Sequence, residues 1–308
     1  MQNLKIAIIG AGAVGVSTAY ALMLNNLGSE IFLVDVHQSH TEGEALDLQD
    51  TLAFSKVSRV QQASIEQARE AQIIIITAGV AQESSQTRLS LLAANAKVMH
   101  QLADSLSPLN PETLVLVATN PVDIMTRILQ ETLNHPYAKV IGSGTLLDSQ
   151  RLRGFIADKL AVAKSSVHAY VLGEHGDSQF PAWSCAYIGG CPLSAFVALT
   201  EEIKTDIAQA TKRKAYDIIS RKGATYYGIA ACLARICQTM IYNKKHVLPL
   251  SIYVKDFRTC LSMPVVLGRE GIEQILPIVL SEKEQTQLQQ SATILQQNYK
   301  NLLSSTTA

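Results

Sequence analysis

Residues 4–15 read LKIAIIGAGAVG, an apolar run that ends directly on a cluster of glycines. Runs that are apolar on consecutive residues are typical of strands buried on both faces of a parallel sheet. Similar runs and helical stretches alternate through the first half of the chain. The predicted strands span residues 4–9, 30–34, 73–77, 114–119 and, more weakly, 139–141, with helical stretches at 14–25 and 89–106. This alternation predicts an α/β domain with a doubly wound parallel sheet, a Rossmann-type architecture.

The glycines have the spacing G-x-G-x-x-G between a predicted strand and a predicted helix. Gly10 suits a tight turn, Gly12 lets the backbone approach a pyrophosphate, and Gly15 lets helix and strand pack closely. Asp35 ends the second predicted strand, 20 residues beyond Gly15. A carboxylate there accepts hydrogen bonds from a ribose diol and repels a 2′-phosphate, so NAD is predicted in preference to NADP. The alternative is a glycine-rich turn and a loop aspartate without a ligand.

The pattern changes after about residue 143. We expect a helix over residues 145–160, strands at 167–172 and 183–188, a Gly-Gly turn at 189–190, a helical tract from about 200 broken at 223, strands at 248–254 and 262–267, and a last helix opened by a capping box at 281–284. No linker separates the two halves. The sequence therefore predicts a NAD-binding Rossmann domain over residues 1–143 and an α+β catalytic domain over residues 144–308, packed against each other.

The composition excludes several classes of protein. The 308 residues are 47% hydrophobic and 17% charged, which excludes a disordered chain. Lys+Arg and Asp+Glu both number 26, so the chain has no electrostatic footprint for nucleic acid or an anionic membrane. The N-terminus lacks the features of a signal peptide, and no apolar stretch is long enough to span a bilayer. Five cysteines without a C-x-x-C pair predict free buried thiols, and we expect a cytoplasmic protein.

A nicotinamide cofactor needs a partner group that supplies or accepts a proton as the hydride moves, and an imidazole titrates near the working pH. Of the seven histidines, only His175 lies in a tight, turn-like sequence, LGEHGDS at residues 172–178. No second histidine or cysteine stands at metal-ligand spacing, so no metal site is expected. The alternative is a loop histidine whose hydrogen bonds are satisfied structurally.

Asp148 and Arg151 are three residues apart on the helix predicted after residue 145, so they share one face, whereas Arg153 points elsewhere. They form either a surface ion pair or a functional pair, in which Asp148 orients a histidine and Arg151 grips a substrate carboxylate. Asn120 follows a predicted strand and precedes Pro121. It is therefore either a turn residue or a ligand-binding residue at the carboxyl edge of the sheet.

The ordered set of these motifs resembles the L-lactate/malate dehydrogenase family from about residue 4 to residue 303. The motifs are residues 10–15, Asp35, 117–123, 147–153 and 172–177. The resemblance implies that His175 is the proton donor and acceptor, that Asp148 holds it, and that Arg151 binds the carboxylate of a 2-oxo or 2-hydroxy acid. It also implies that Asn120 hydrogen-bonds the substrate and that Arg88, on a mobile loop, polarises the reacting carbonyl.

The resemblance assigns the cofactor-binding residues as well. They are Gly10, Gly12, Ala13, Val14, Gly15, Asp35, Thr77, Ala78, Gly79 and Asn120. The reaction implied is transfer of a hydride from NADH to the carbonyl carbon of a 2-oxo acid, while protonated His175 delivers the proton. Closure of the loop that carries Arg88 then expels water from the site.

Gln82 aligns with the loop position that selects the substrate: arginine in the family's malate enzymes and glutamine in its lactate enzymes. A second substrate carboxylate would stay unpaired beside neutral Gln82 and acidic Glu83, so pyruvate and L-lactate are favoured. Thr225 aligns with the residue lining the side-chain pocket and agrees with a small methyl group. Residues 83–87 lack the glycine that the family usually has shortly before Arg88. The alternatives are a malate-type or broad-range 2-hydroxy acid dehydrogenase, or a catalytically silent NAD-binding protein.

Arg153 and His168 match the pair that binds fructose 1,6-bisphosphate between subunits in activated bacterial members of the family. Two cations that converge on a symmetry axis can hold a bisphosphate. The alternative is an interface salt bridge plus a core histidine. The resemblance implies a homotetramer, with a dimer as the minimal alternative.

Overall fold

Fourteen strands and nine α-helices make up the described chain, which in this computed structural model comprises residues 4–80 and 88–306. The strands are β1 (Lys5–Ile9), β2 (Glu30–Val34), β3 (Arg59–Gln62), β4 (Ile73–Ile76), β5 (Leu114–Val117), β6 (Val140–Gly142), β7 (Val167–His168), β8 (Val171–Leu172), β9 (Phe180–Pro181), β10 (Tyr187–Ile188), β11 (Cys191–Pro192), β12 (His246–Val254), β13 (Thr259–Gly268) and β14 (Gly271–Ile275). The helices are α1 (Ala13–Leu24), α2 (Gln38–Asp50), α3 (Ile65–Ala68), α4 (Arg88–Leu106), α5 (Val122–Leu133), α6 (Leu146–Leu160), α7 (Glu201–Lys222), α8 (Tyr227–Ile241) and α9 (Glu282–Thr306).

Six parallel strands, in the order β3-β2-β1-β4-β5-β6, form the first part of the main sheet. This is the strand order of a doubly wound nucleotide-binding fold, and it confirms the predicted fold class. The strand order reverses between β1 and β4, and ligands of such sheets bind at the carboxyl ends of the strands on either side of that point. Beyond β6 the sheet continues through the antiparallel strands β12, β13 and β14.

The apolar runs are buried as the sequence predicts. All four isoleucines of β4 are between 0% and 2% exposed. The four residues after Lys5 in β1 and all four of β5 are also apolar and buried, and these strands lie on either side of β4. Helices on both faces of a parallel sheet keep water from every position of such a strand, which explains why the pattern does not alternate.

The second half of the chain also carries two small sheets, of order β11-β10-β7 and β8-β9. A separate apolar cluster beneath them includes Leu152, Ile156 and Leu193. Helix α7 ends before Gly223, whose φ of +81° suits a glycine, as predicted. Helix α9 opens with the predicted capping box, because Ser281 and Glu284 each accept the other's backbone N–H.

Two of the predicted strands are wrong in detail. Residues 167–172 form two strands of two residues each, because β7 pairs with β10 whereas β8 pairs with β9. Residues 183–188 begin with a 3₁₀ turn, closed by a 3.2 Å bond from the Ala186 N–H to the Trp183 carbonyl, and only Tyr187 and Ile188 are extended. The apolar composition of a segment does not reveal which strand it pairs with.

The described residues contain no helix that is long and apolar enough to cross a membrane and no cluster of side chains that could hold a metal ion. All five cysteines are free. The prediction that they are buried holds for Cys232, Cys237 and Cys260, but Cys191 is exposed and Cys185 is only partly covered. Cys191 lies in the short strand β11, whose side chains face solvent.

We predict opposite effects for the same substitution at two helical glycines. A Cβ on Gly15 would lie 1.9 Å from the Gly10 carbonyl oxygen, whereas a Cβ on Gly43 would meet no atom within 4 Å. Gly15→Ala is therefore expected to lower the free energy of unfolding by about 1–3 kcal/mol. Gly43→Ala is expected to raise it by about 0.5–1 kcal/mol, because alanine restricts the unfolded chain. Urea unfolding measures both changes. If the two substitutions changed the free energy of unfolding in the same direction, the packing described for the glycine turn would be contradicted.

Candidate active site

The glycine turn after β1 is shaped by contacts that exclude side chains. Gly10 has a φ of +107°, and a Cβ on it would lie 2.4 Å from the backbone nitrogen of Ala78. Gly15 packs against the carbonyl of Gly10, so α1 crosses β1 at very short range. Gly12 differs, since a Cβ on it would meet nothing within 4 Å. The turn therefore packs against the fold at Gly10 and Gly15 and keeps a bare, open backbone at Gly12.

Asp35 lies against this turn at the end of β2. Its Oδ2 accepts the Ala11 N–H at 2.8 Å and its Oδ1 accepts the His37 N–H at 3.0 Å. Each oxygen keeps a lone pair for another donor, and the residue is only partly covered. The carboxylate thus orders the glycine turn and still presents an acceptor edge.

These residues fit a dinucleotide. Gly12 caps α1 without any side-chain hydrogen bond, so the backbone N–H groups of the first turn, including those of Ala13 and Val14, can meet a phosphate. The open side of Gly12 leaves room for that phosphate, and Asp35 lies at the next strand end, where the ribose is expected.

The loop after β4 forms the opposite wall, and its chief anchor was not found from the sequence. The Thr77 hydroxyl donates to the Gly10 carbonyl at 2.8 Å. Buried Asn95, on α4, accepts the Val80 N–H at 2.7 Å and donates to the Asn120 carbonyl at 2.8 Å. A Cβ on Gly79 would lie 3.2 Å from the Asn95 Oδ1. Asn95 therefore fixes the loop after β4 and the loop after β5 to each other.

The predicted catalytic pair is in contact. His175 Nδ1 lies 2.7 Å from Asp148 Oδ2, and Arg151 Nη1 lies 3.1 Å from Asp148 Oδ1. A carboxylate only accepts, so Nδ1 carries the shared hydrogen and Nε2 is the ring nitrogen left for other chemistry. The side chain of Asp148 is 4% exposed and that of His175 is 30% exposed. The carboxylate is thus enclosed, while one edge of the imidazole remains accessible.

The charges of this group determine its titration. Burial opposes ionisation of Asp148, but His175 and Arg151 outweigh it and hold the pKa of the carboxyl below its ordinary value. Burial also opposes protonation of His175, but the charge and hydrogen bond of Asp148 hold the pKa of the imidazole above 6.5. Asp148 therefore stays ionised near neutral pH and favours the protonated form of His175.

Asp123 is a second buried carboxylate at the site, and sequence reasoning gave it no role. Its Oδ2 accepts the backbone N–H of His175 at 2.7 Å, and its Oδ1 accepts the Ser251 hydroxyl at 2.5 Å. Burial raises the pKa of Asp123 to about 6, although both hydrogen bonds and the charge of His175 act against that rise. Asp123 links α5, β12 and the His175 loop, which no local sequence signal could reveal.

The structure shows fewer contacts for the remaining predicted site residues. Asn120 is exposed at the end of β5, with its carbonyl held by Asn95. Thr225 is partly covered in the α7–α8 connection, and the first turn of α8 packs on α6 where Gly228 meets Leu147. Gln82 and the side chain of Arg88 lie outside the described residues.

Within residues 4–80 and 88–306, no hydrogen bond or cation–π contact of Arg153 involves His168. The Arg153 Nε donates to the Ala169 carbonyl at 2.9 Å, and its guanidinium lies 5.3 Å from the Tyr170 ring centroid. Burial lowers the pKa of Arg153. His168 is exposed on β7, so the alternative of a core histidine is wrong. Its side chain faces solvent because β7 is a short strand of a small surface sheet.

Comparison with known proteins finds similar sequences and structures over nearly the whole chain. The family model described as lactate/malate dehydrogenase, NAD binding domain, matches residues 4–142, and the model of the family's alpha/beta C-terminal domain matches residues 145–306. L-lactate dehydrogenase A of Rhizopus oryzae is 44% identical over 291 residues, which cover 94% of this chain and 91% of that protein. L-lactate dehydrogenase of Lacticaseibacillus casei is 40% identical over 299 residues, covering 94% and 92%.

A similar solved structure is that of a lactate dehydrogenase from a Medee basin deep-sea metagenome library. It superimposes with a TM-score of 0.94 at 36% identity and covers 98% of this chain and 99% of that one. Both family models and these relatives extend over nearly the whole sequence, so the likeness is not confined to the nucleotide-binding half. The chain belongs to the lactate/malate dehydrogenase family.

Proposed function

We propose that this chain interconverts pyruvate and L-lactate with NAD as cofactor, and that His175 is its proton donor and acceptor. The observation that carries the proposal is the group formed by Asp148, His175 and Arg151, in which one enclosed carboxylate contacts both cations. A protein that only binds NAD has no need of such a group. The names of the relatives support lactate as the substrate.

The reaction assigns a task to each ring nitrogen of His175. NADH, held by the glycine turn and Asp35, would supply the hydride for the carbonyl carbon of pyruvate. His175 Nδ1–H stays on Asp148, and protonated Nε2 gives its proton to the carbonyl oxygen, which becomes the hydroxyl of lactate. Asp148 stabilises the imidazolium before transfer and holds the neutral ring in the correct tautomer afterwards. In the oxidation direction neutral Nε2 takes the hydroxyl proton back.

Arg151 is assigned to the substrate carboxylate. Its bond to Asp148 occupies one of its five N–H groups, so the planar fork keeps donors for a second carboxylate. Asn120 is assigned to the substrate oxygen, since it lies just beyond β5 at the carboxyl edge of the sheet, where its carbonyl accepts from Asn95. Arg88 is assigned to the carbonyl oxygen, where it stabilises negative charge as the hydride arrives.

Substrate choice is assigned to Gln82 and Thr225. A neutral glutamine cannot pair with a second carboxylate, and leaving that carboxylate unpaired in a closed site costs several kcal/mol. Thr225 is assigned to the wall of the methyl pocket. Pyruvate, with one carboxylate and a methyl group, meets both constraints.

Several finer assignments belong to the same proposal. We divide the chain into a cofactor domain up to residue 143 and a catalytic domain from residue 144, and we assign it to the cytoplasm. We propose a homotetramer, as the family resemblance implies. We retain Arg153 and His168 as a candidate pair for fructose 1,6-bisphosphate across a subunit interface.

The pH dependence of pyruvate reduction tests the assignment of His175. Because protonated His175 is required, kcat/KM for pyruvate should be lost as pH rises through the His175 pKa, which lies above 6.5. Asp148→Asn removes the charge that favours the imidazolium, so this limb should move to lower pH and kcat/KM at neutral pH should fall about 10²-fold or more. Asp158→Asn, at an exposed position of the same helix, is the matched control. An unmoved limb in Asp148→Asn contradicts the assignment.

A substitution at Gln82 tests the substrate. Gln82→Arg introduces a cation for a distal carboxylate, so the ratio of kcat/KM for oxaloacetate to that for pyruvate should rise. Each 1.4 kcal/mol by which the new cation stabilises the oxaloacetate transition state raises this ratio about tenfold. Stopped-flow or steady-state NADH oxidation measures both values in one preparation. If the ratio for the two oxo acids is unchanged, Gln82 does not select the substrate.

A further inference from the structure

Helix α9 approaches the His175 loop so closely that only a glycine fits between them. Gly173 has a φ of +85°, and a Cβ on it would lie 2.6 Å from Ser291 Oγ and 3.0 Å from Ser291 Cβ. Ser291 itself is fully buried. A buried hydroxyl held this near a loop backbone is expected to make specific hydrogen bonds.

These bonds form a closed ring that begins and ends on Glu174. The Glu174 N–H donates to Ser291 Oγ at 2.6 Å. The Ser178 hydroxyl donates to Glu174 Oε2 at 2.6 Å, and the two serine oxygens are 2.9 Å apart. Since the one hydrogen of the Ser178 hydroxyl is used on the carboxylate, the Ser291 hydroxyl must donate to Ser178 Oγ. Every polar hydrogen of the ring therefore has one partner and one direction.

The ring fixes the backbone on both sides of the catalytic histidine. Glu174 immediately precedes His175, and Ser178 follows it by three residues. With these two points held, the backbone N–H of His175 donates to Asp123 Oδ2 at 2.7 Å, and its imidazole Nδ1 lies 2.7 Å from Asp148 Oδ2. We propose that Ser291 is a positioning residue for His175, acting through Glu174 and Ser178. The inference rests on the function proposed above.

Other bonds hold α9 in place without touching this loop. Gln296 donates to the Phe257 carbonyl, Tyr299 contacts Glu131, and Glu284 accepts the Ser184 N–H at 3.0 Å. Loss of the Ser291 hydroxyl should therefore leave the helix docked and loosen only the loop. This separates a positioning role from a structural one.

The titration of His175 reports the position of its ring. The charged groups around it are Asp148 and Arg151 on α6, Asp123 on α5 and Glu174 on its own loop. Lys212 of α7 binds the same loop further along, where its Nζ contacts the carbonyl of Asp177. If the His175 imidazole lies against Asp148 for less of the time, it feels less of the negative charge that favours its protonation, and its pKa falls.

Ser291→Ala provides the test. We expect kcat/KM for pyruvate to fall about tenfold, because small displacements of a reacting group are costly. The high-pH limb of kcat/KM should move to lower pH, while the Kd for NADH changes less than about twofold, since the glycine turn is untouched. Ser178→Ala should reproduce the fall in kcat/KM and the shift of its high-pH limb. Ser178→Thr keeps the hydroxyl at a half-buried position and should therefore have wild-type kcat/KM and pH dependence.

Gln296→Ala is the matched control, since it removes a different hydrogen bond of α9. It should lower the melting temperature and leave kcat/KM and its pH limb as in the wild type. The proposal is overturned if both alanine variants of the ring serines behave like this control. If Ser291→Ala does not fold, Ser178→Ala and Ser178→Thr decide the question by the same criteria.

A histidine titration by NMR distinguishes the failure of this inference from failure of the proposed function. Wild-type turnover of pyruvate tests the function alone. The NMR signals of the His175 imidazole, followed with pH in labelled protein, test the role of the hydrogen bonds among Glu174, Ser178 and Ser291 whether or not pyruvate is reduced. A lower His175 pKa in Ser291→Ala supports the positioning role, and an unchanged one overturns it.

Discussion

The carboxylate of Asp148 is the constraint on which the site depends. It is almost fully enclosed, and an enclosed charge is tolerated only when it is paired and hydrogen-bonded. His175 and Arg151 supply that pairing from two directions. Each partner is thereby given one orientation, with an accessible imidazole edge and a guanidinium that retains free donors. The electrostatic requirement of a single buried group thus places an imidazole and a guanidinium side by side, the two groups to which we assign the transferred proton and the substrate carboxylate.

One sheet supports both this group and the glycine turn. Strands β1, β4 and β5 end side by side, so the glycine turn, Thr77 and Asn120 follow one another along the same edge. The second half of the chain is tied to that edge by Asp123, which joins α5 to Ser251 of β12 and to the backbone of His175. Continuity of one sheet across both halves gives the cofactor side and the catalytic side a common rigid support.

Sequence patterns predicted those parts of the fold and site that local chemistry determines. Consecutive apolar residues indicated the buried strands, and the glycine spacing indicated the turn. The contact between Asp148 and His175 also followed, because it was carried by recognisable motifs. Asp123, Asn95 and Ser291 were missed because each acts on a segment far away in sequence, as the bond from Glu174 to Ser291 shows across 117 residues. Edge strands β3 and β14 were missed for a related reason, since half-exposed strands lack a continuous apolar run.

The most direct test of the account is a crystal structure of the enzyme with NADH and oxamate, a pyruvate analogue that cannot be reduced. The account predicts that Arg151 binds the oxamate carboxylate with two N–H groups and that His175 Nε2 lies roughly 2.6–3.2 Å from the oxamate carbonyl oxygen, with Asp148 still on Nδ1. Oxamate bound away from Arg151, or an imidazole that has left Asp148 in the complex, would contradict it.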